Sequence, residues 1–195
     1  MPRTKNFDQA EVLKKITDLF WEKGYHDTSM DDVVSSSGVS RSGIYSTFGD
    51  KKSLFIQCID HYKEFVSDPV LAVLNKNDSD VDSIFEYFDI VHDLVIDGDV
   101  KFGCFFHNSS VELGPHDDDV ENKIASCIDY HRESFKNSLT NAKENGQIEK
   151  NIDIEEMSDY LLVNFVGILV LAKSSLASAI VDNAINFTLA PLRKQ

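Results

Sequence analysis

The chain has 195 residues, of which 42% are apolar and 27% charged, so it can bury a core in one or two small domains and is too apolar for a disordered protein. Three cysteines without a framework spacing predict reduced thiols in the cytoplasm, and the absence of an apolar run longer than residues 160–172 excludes a membrane span. The formal net charge of −14 argues against a nucleic-acid partner, but residues 1–65 carry only −1 and residues 66–195 carry −13, so the objection applies to the C-terminal two thirds alone.

The first 75 residues predict four helices. Apolar side chains recur at helical spacing in each, and each begins at a side chain that can accept a hydrogen bond from a free backbone N–H. The first helix ends at Gly24, and the fourth extends to about Asn75. The predicted caps are Asp8 for the first helix, Thr28 and Ser29 for the second, Ser40 for the third and Asp50 for the fourth.

The second and third helices are joined by Ser37-Gly38-Val39. A short connection that contains glycine lets two helices meet at a steep angle, which is typical of a helix-turn-helix. The third helix would place Ile44 and Phe48 in the core and its other side chains at the surface.

The rest of the chain predicts further helices around residues 84–95, 103–113, 154–173 and 176–189, and a long helix that follows the acidic run 117–119 and stops near residue 146. The helix that begins at Ile154 is apolar almost all round, so it must be covered on every side. We expect it to form a four-helix interface with the last helix and their copies in a second subunit. The predicted interface residues are Leu161, Phe165, Ile168, Leu169, Ala177, Ile180, Ala184 and Phe187.

The N-terminal region resembles the TetR/AcrR transcriptional regulators over residues 12–55, VLKKITDLFWEKGYHDTSMDDVVSSSGVSRSGIYSTFGDKKSLF. The shared pattern is F-x-x-x-G-Y at the end of the first helix, then G-V-S, a tyrosine and F-x-x-K-x-x-L. The resemblance implies an all-α fold of about nine helices. It divides the chain into a three-helix helix-turn-helix DNA-binding domain, residues 1–50, and a ligand-binding and dimerisation domain, residues 51–195.

A helix in the major groove presents its first residues to base edges and phosphates. Arg41 can form a bidentate contact with guanine or bind a phosphate, and hydroxyl groups can bond to phosphate oxygens. The cations Arg3, Lys5, Arg41, Lys51 and Lys52 can cluster on one face. The predicted DNA contacts are Thr4, Lys5, Thr28, Ser40, Arg41, Ser42, Tyr45, Ser46, Thr47 and Lys51.

The resemblance also implies a ligand cavity in the C-terminal domain, with a few polar groups in an apolar wall. Residues 103–108 and Glu112-Leu113 are similar to an AcrR-like subset of the family. The predicted ligand-binding residues are Phe88, His92, Cys104, Asn108, Val111, His131, Phe135 and Phe165.

The function that follows is a homodimeric, ligand-responsive DNA-binding transcriptional regulator, a repressor released from a palindromic operator by a small molecule. One alternative is a regulator in which the Cys104 thiolate senses electrophiles or oxidants. Another is a helical sensor or protein-interaction module that no longer binds DNA. No catalytic motif and no metal-ligand spacing is present, so we predict neither an enzyme nor a cofactor.

Overall fold

The computed structural model describes residues 7–175 and 177–193, although not the side chain of Ala177. These residues form helices and turns, and no strand occurs among them. Nine of the ten α-helices have eight or more residues, which confirms the predicted all-α fold. The helices are α1 Gln9–Lys23, α2 Met30–Ser37, α3 Arg41–Phe48, α4 Lys51–Tyr62, α5 Asp68–Leu71, α6 Val81–Ile96, α7 Phe105–Leu113, α8 Asp118–Glu144, α9 Ile154–Leu171 and α10 Ala177–Leu189.

Local capping determines where the first helices begin. The carboxylate of Asp8 accepts from the backbone N–H of Ala10 at 2.9 Å, and that of Asp50 accepts from Ser53 at 2.8 Å. Of the two predicted caps of α2, Ser29 is the one used, because Ser29 and Asp32 each accept from the other's backbone N–H. Thr28 is not a cap.

The predicted fourth helix is interrupted. It ends as α4 at Tyr62, continues as a π-helical turn over Lys63–Ser67, and resumes in the single turn of α5. Pro69 lies in that turn and has no backbone N–H, so a regular α-helical hydrogen bond to the carbonyl four residues earlier cannot form. The missing N–H of this proline therefore accounts for the end of the regular α-helical pattern in this segment.

The chain forms two compact units. The first comprises the described residues up to Val66 together with Phe105–Ile124, and the second comprises Ser67–Cys104 and the described residues from Ala125. The helix α7 and the start of α8 therefore pack with the N-terminal helices. The division into functional domains at residue 50 stays a prediction, because compactness alone does not assign function.

Aromatic side chains dominate the core of the first unit. The Phe55 ring of α4 meets Phe20 of α1 edge-on at 5.0 Å between centroids, and it meets Phe105 of α7 at 5.3 Å. Ile16 and Ile44 are fully buried beside this group in the same unit. Burying such side chains contributes roughly 1.5–3 kcal/mol each, and the contacts of Phe55 join α1 and α7 through α4.

In the second unit, α10 packs against both α6 and α9. Tyr87, Phe88 and Val91 are buried on α6, as are Phe135 and Leu139 on α8. This core brings together the aromatic residues that the sequence analysis assigned to a ligand cavity.

Candidate functional site

The helix α3 presents a polar face from its first turn onward. The hydroxyl of Ser40 caps α3 by accepting from the Gly43 N–H at 3.2 Å, while Ile44 and Phe48 are buried against the other helices of the first unit. A Cβ atom on Gly43 would lie 2.8 Å from Cγ1 of Val39, so only glycine allows α3 to start this close to the preceding turn. The predicted contacts Ser40, Arg41, Ser42, Tyr45 and Ser46 are all exposed.

Two of these exposed side chains are already engaged within the unit. The hydroxyl of Ser46 donates to the Gly43 carbonyl at 3.0 Å, and Nη2 of Arg41 donates to Oδ1 of Asp31 at 2.7 Å. Tyr45 is 44% exposed, so its ring and hydroxyl remain accessible beside them. The face therefore offers a guanidinium group, hydroxyl groups and one aromatic ring.

Two predicted contacts face inward instead. Thr28 is fully buried, and its hydroxyl donates to the Gly24 carbonyl at 2.7 Å, so we correct the predicted phosphate contact of this side chain. The hydroxyl of Thr47 is also buried, without a hydrogen-bond partner among the described residues. The predicted contacts Thr4 and Lys5, with Arg3, lie outside the described residues.

The two lysines at the start of α4 differ. The ammonium group of Lys51 lies 4.3 Å from the centroid of the Tyr25 ring, and partial burial lowers its pKa. Lys52 instead pairs with Asp117 at 2.8 Å and Asp119 at 2.7 Å, and its hydrogen bonds to both carboxylates raise its pKa. Lys52 thus neutralises the acidic start of α8, and its expected place among the DNA-facing cations is corrected.

Glu112 of α7 closes the end of α1, a role that the sequence analysis did not predict. Its carboxylate accepts from the backbone N–H of Tyr25 at 2.9 Å and from that of His26 at 2.6 Å. A Cβ atom on Gly24 would lie only 2.8 Å from Oε2 of Glu112, and the φ angle of Gly24 is +85°. The glycine that ends α1 therefore also makes room for this carboxylate.

The predicted ligand residues of the second unit converge on a buried tyrosine. The hydroxyl group of Tyr87 lies 2.7 Å from Nε2 of His131, and both side chains are buried. The rings of Phe135 and Phe165 meet Tyr87 edge-on at 5.1 and 5.5 Å, and Phe88 stacks on Phe135 at 6.0 Å. We call these five residues the aromatic cluster. Tyr87 was missed, although it occupies a core position of α6 one residue before Phe88.

The other predicted ligand residues are placed differently. His92 lies at the surface of the second unit between Asp93 at 3.0 Å and Asp182 at 2.9 Å, and hydrogen bonds to these carboxylates raise its pKa. Asn108 and Val111 belong to the first unit. Val111 is 83% exposed, the opposite of the buried wall position that was expected, so we omit it from the proposed ligand site.

All three cysteines are buried and none forms a disulfide. Burial raises the pKa of the Cys58 thiol to about 12. Cys104 is only 5% exposed. A thiol sensor needs an accessible thiolate, so this burial favours a reversible ligand over the thiol-sensing alternative.

The apolar helix α9 has two distinct faces. Leu161, Phe165, Ile168 and Leu169, which were predicted to form the dimer interface, are buried within their own chain. A prediction from periodicity could not choose between the faces because both are apolar. The large exposed apolar residues among the described side chains of α9 and α10 are Tyr160, Val163, Val170, Leu171, Ile180 and Phe187.

Comparison with known proteins identifies the family. A profile described as bacterial regulatory proteins, tetR family, matches residues 12–58, and one described as Tetracyclin repressor-like, C-terminal domain, matches residues 81–187. The chain belongs to the TetR family. Membership confirms the predicted DNA-binding transcriptional regulator.

Two curated relatives of this TetR-family regulator span most of its length. It is 29% identical to the uncharacterized HTH-type transcriptional regulator YezE of Bacillus subtilis (strain 168), over 89% of the chain and 90% of YezE. It is 27% identical to the HTH-type transcriptional repressor ComR of Escherichia coli (strain K12), over 88% of the chain and 82% of ComR.

Solved structures show the same fold. A cysteine mutant of the TetR family transcriptional regulator CifR, complexed with a 26-bp double-strand operator DNA, matches 95% of the chain and 98% of CifR with a TM-score of 0.79 and 21% identity. The reduced form of E. coli NemR matches 96% of the chain and 98% of NemR with a TM-score of 0.80 and 15% identity.

Two other kinds of site, a membrane span and a metal site, are not found in the described part of this TetR-family regulator. Among residues 7–175 and 177–193, no helix is long and apolar enough to cross a membrane. Nor does this part of the chain contain three or more His, Cys, Asp or Glu side chains placed to hold a metal ion.

Proposed function

We propose that this TetR-family regulator represses transcription as a homodimer that binds a palindromic operator and is released from it by a small molecule. The observation that carries the proposal is the capped helix α3, which buries Ile44 and Phe48 and exposes Arg41 and Tyr45. It acts in the cytoplasm, where the DNA lies, and has no catalytic role. ComR, a relative over most of the chain, is named a repressor.

The DNA contact we propose uses α3 in the major groove of each half-site. Ser40 and Ser42 can donate to phosphate oxygens, and Ser46 can do so on giving up its bond to the Gly43 carbonyl. Arg41 and Tyr45 reach base edges or the sugar-phosphate backbone. Two copies related by a two-fold axis place their recognition helices about 34–36 Å apart, one turn of DNA. With a chain charge of −14, non-specific attraction is weak, so affinity depends on contacts to the operator itself.

The dimer we propose forms through the exposed faces of α9 and α10. Val163 and Phe187 are 69% and 77% exposed, and they belong to helices that pack together in one chain. Two such helices from each subunit would make an isologous four-helix interface that covers these side chains. The retained members of the predicted interface set are Ile180, Ala184 and Phe187.

The aromatic cluster is the effector site we propose. Four aromatic rings and the His131 imidazole supply an apolar wall, and the Tyr87–His131 pair supplies the polar groups that orient a ligand. The rings touch one another, so the ligand must separate them and thereby bias the equilibrium between conformations of the regulator. A typical coupling strength would lower operator affinity by roughly 5- to 150-fold.

Fluorescence anisotropy with labelled duplexes from the region upstream of the protein's own gene tests the proposal. The wild type is expected to bind one duplex in preference to a shuffled sequence. The substitutions Arg41→Ala and Tyr45→Ala should each weaken that binding by more than fivefold, while Lys14→Ala on the exposed face of α1 serves as the matched control. Equal preference for that duplex by all four proteins would contradict the proposed contact through α3, and the lack of any preference in the wild type would favour a module that does not bind DNA.

A further inference from the structure

An exposed ion pair joins the two helices of the helix-turn-helix. Asp31 lies in the first turn of α2, and Arg41 is the first residue of α3. Oδ1 of Asp31 accepts from Nη2 of Arg41 at 2.7 Å, and the two side chains are 85% and 52% exposed. From the sequence, Arg41 is predicted to contact either guanine or phosphate, and the ion pair with Asp31 is not predicted.

A carboxylate at this position is unfavourable for DNA binding unless its charge is matched. In a helix-turn-helix the helix before the recognition helix crosses the phosphate backbone, so Asp31 would repel the DNA. Asp32, its neighbour, is held by the capping box of α2 and by Lys23 at 3.0 Å. Asp31 has Arg41 as its cationic partner, and the pair as a whole carries no net charge.

The ion pair with Asp31 makes guanine a better target than phosphate for the Arg41 guanidinium group. Attraction to phosphate depends on net positive charge, which the carboxylate cancels. A bidentate contact with guanine depends on the direction of two N–H groups toward the neutral acceptors O6 and N7. Arg41 uses one of its five N–H groups for Asp31, and the other four have no partner within the described part of the chain.

We propose that Asp31 is a positioning residue, which orients the Arg41 side chain toward a guanine in each operator half-site. This inference rests on the proposed function. The carboxylate restricts the rotamers of the long arginine side chain before DNA arrives, so less conformational entropy is lost on binding. Asp31 thereby sets base specificity without itself contacting the base.

The test uses full-length protein and a duplex that the wild type selects from a random-sequence pool. Each base pair of the half-sites is then replaced in turn, and each guanine is replaced by 7-deazaguanine, which lacks the N7 acceptor. For the wild type we expect one guanine per half-site at which base replacement weakens binding by about 5- to 150-fold. In Asp31→Asn the effect at that guanine should shrink at least threefold, and in Arg41→Ala it should disappear.

Asp18→Asn is the matched control, because Asp18 forms an ion pair with Lys14 at 2.8 Å on α1 and loses the same charge. Its profile of base preferences should equal that of the wild type. The proposal is overturned if Asp18→Asn changes the guanine preference as Asp31→Asn does, or if no guanine depends on Arg41. It is also overturned if Asp31→Asn strengthens binding equally at every sequence with a steeper salt dependence, the behaviour of a phosphate contact. A wild type that selects no sequence would instead refute the proposed function.

Discussion

Glu112→Ala perturbs the contact between α7 and the end of α1. The substitution removes two charge-assisted hydrogen bonds, of 2.9 Å to the N–H of Tyr25 and 2.6 Å to that of His26. A hydrogen bond to a charged group contributes about 1.5–3 kcal/mol, and water can replace the bond to His26 because it lies at the surface. We expect the free energy of unfolding to fall by about 2–3 kcal/mol, which lowers the Tm of a chain of this size by roughly 4–12 °C.

Chemical denaturation and differential scanning calorimetry measure this change. The matched control is Glu22→Ala, since Glu22 is an exposed residue of α1 whose side chain makes no hydrogen bond or ion pair among the described residues. Gly24→Ala adds a decisive comparison. In the wild type its Cβ atom would lie 2.8 Å from the carboxylate, whereas in Glu112→Ala only the strain of the positive φ angle remains. An equal cost of Gly24→Ala in both backgrounds would refute the proposed close contact.

Three further predictions concern the second unit and the dimer. Tyr87→Phe removes the buried 2.7 Å bond to His131 and should lower the free energy of unfolding by about 1–2 kcal/mol in guanidinium titrations; an unchanged value would show that the bond contributes nothing. Phe187→Asp should convert the dimer to a monomer in analytical ultracentrifugation, while Val111→Asp, at an equally exposed valine, should not. The pKa of His92 is raised in the folded state, so its contribution to the free energy of unfolding is fully present below about pH 6.5 and is lost as the pH rises through the folded-state pKa. In His92→Gln, the free energy of unfolding plotted against pH should therefore be flatter over that range.

Features that depend on neighbouring residues could be predicted from the sequence. The caps Asp8, Ser40 and Asp50 accept hydrogen bonds from N–H groups two or three residues away, so the pattern of residue types was sufficient. The division of α3 between a buried pair and an exposed polar face followed from helical periodicity in the same way. At Thr28 and Ser29 two overlapping patterns competed, and only the folded chain shows which one forms the cap.

Features that depend on distant residues could not be predicted. Glu112 lies 87 positions from Tyr25, and no local pattern joins a carboxylate on one helix to N–H groups at the end of another. The inward face of α9 was assigned to the dimer interface because the helix is apolar on both sides, and burial is decided by packing against the rest of the second unit. Lys52 was expected to face DNA because the sequence does not show that Asp117 and Asp119 lie beside it.

The central claim is that two copies of α3 bind symmetric half-sites of an operator. Hydroxyl-radical footprinting on a duplex selected from a random-sequence pool tests it directly. The account predicts two protected half-sites related by a two-fold axis, with centres about 10–10.5 base pairs apart or a multiple of that spacing, and loss of protection in Arg41→Ala. Protection without two-fold symmetry, or protection that Arg41→Ala leaves unchanged, would contradict the account.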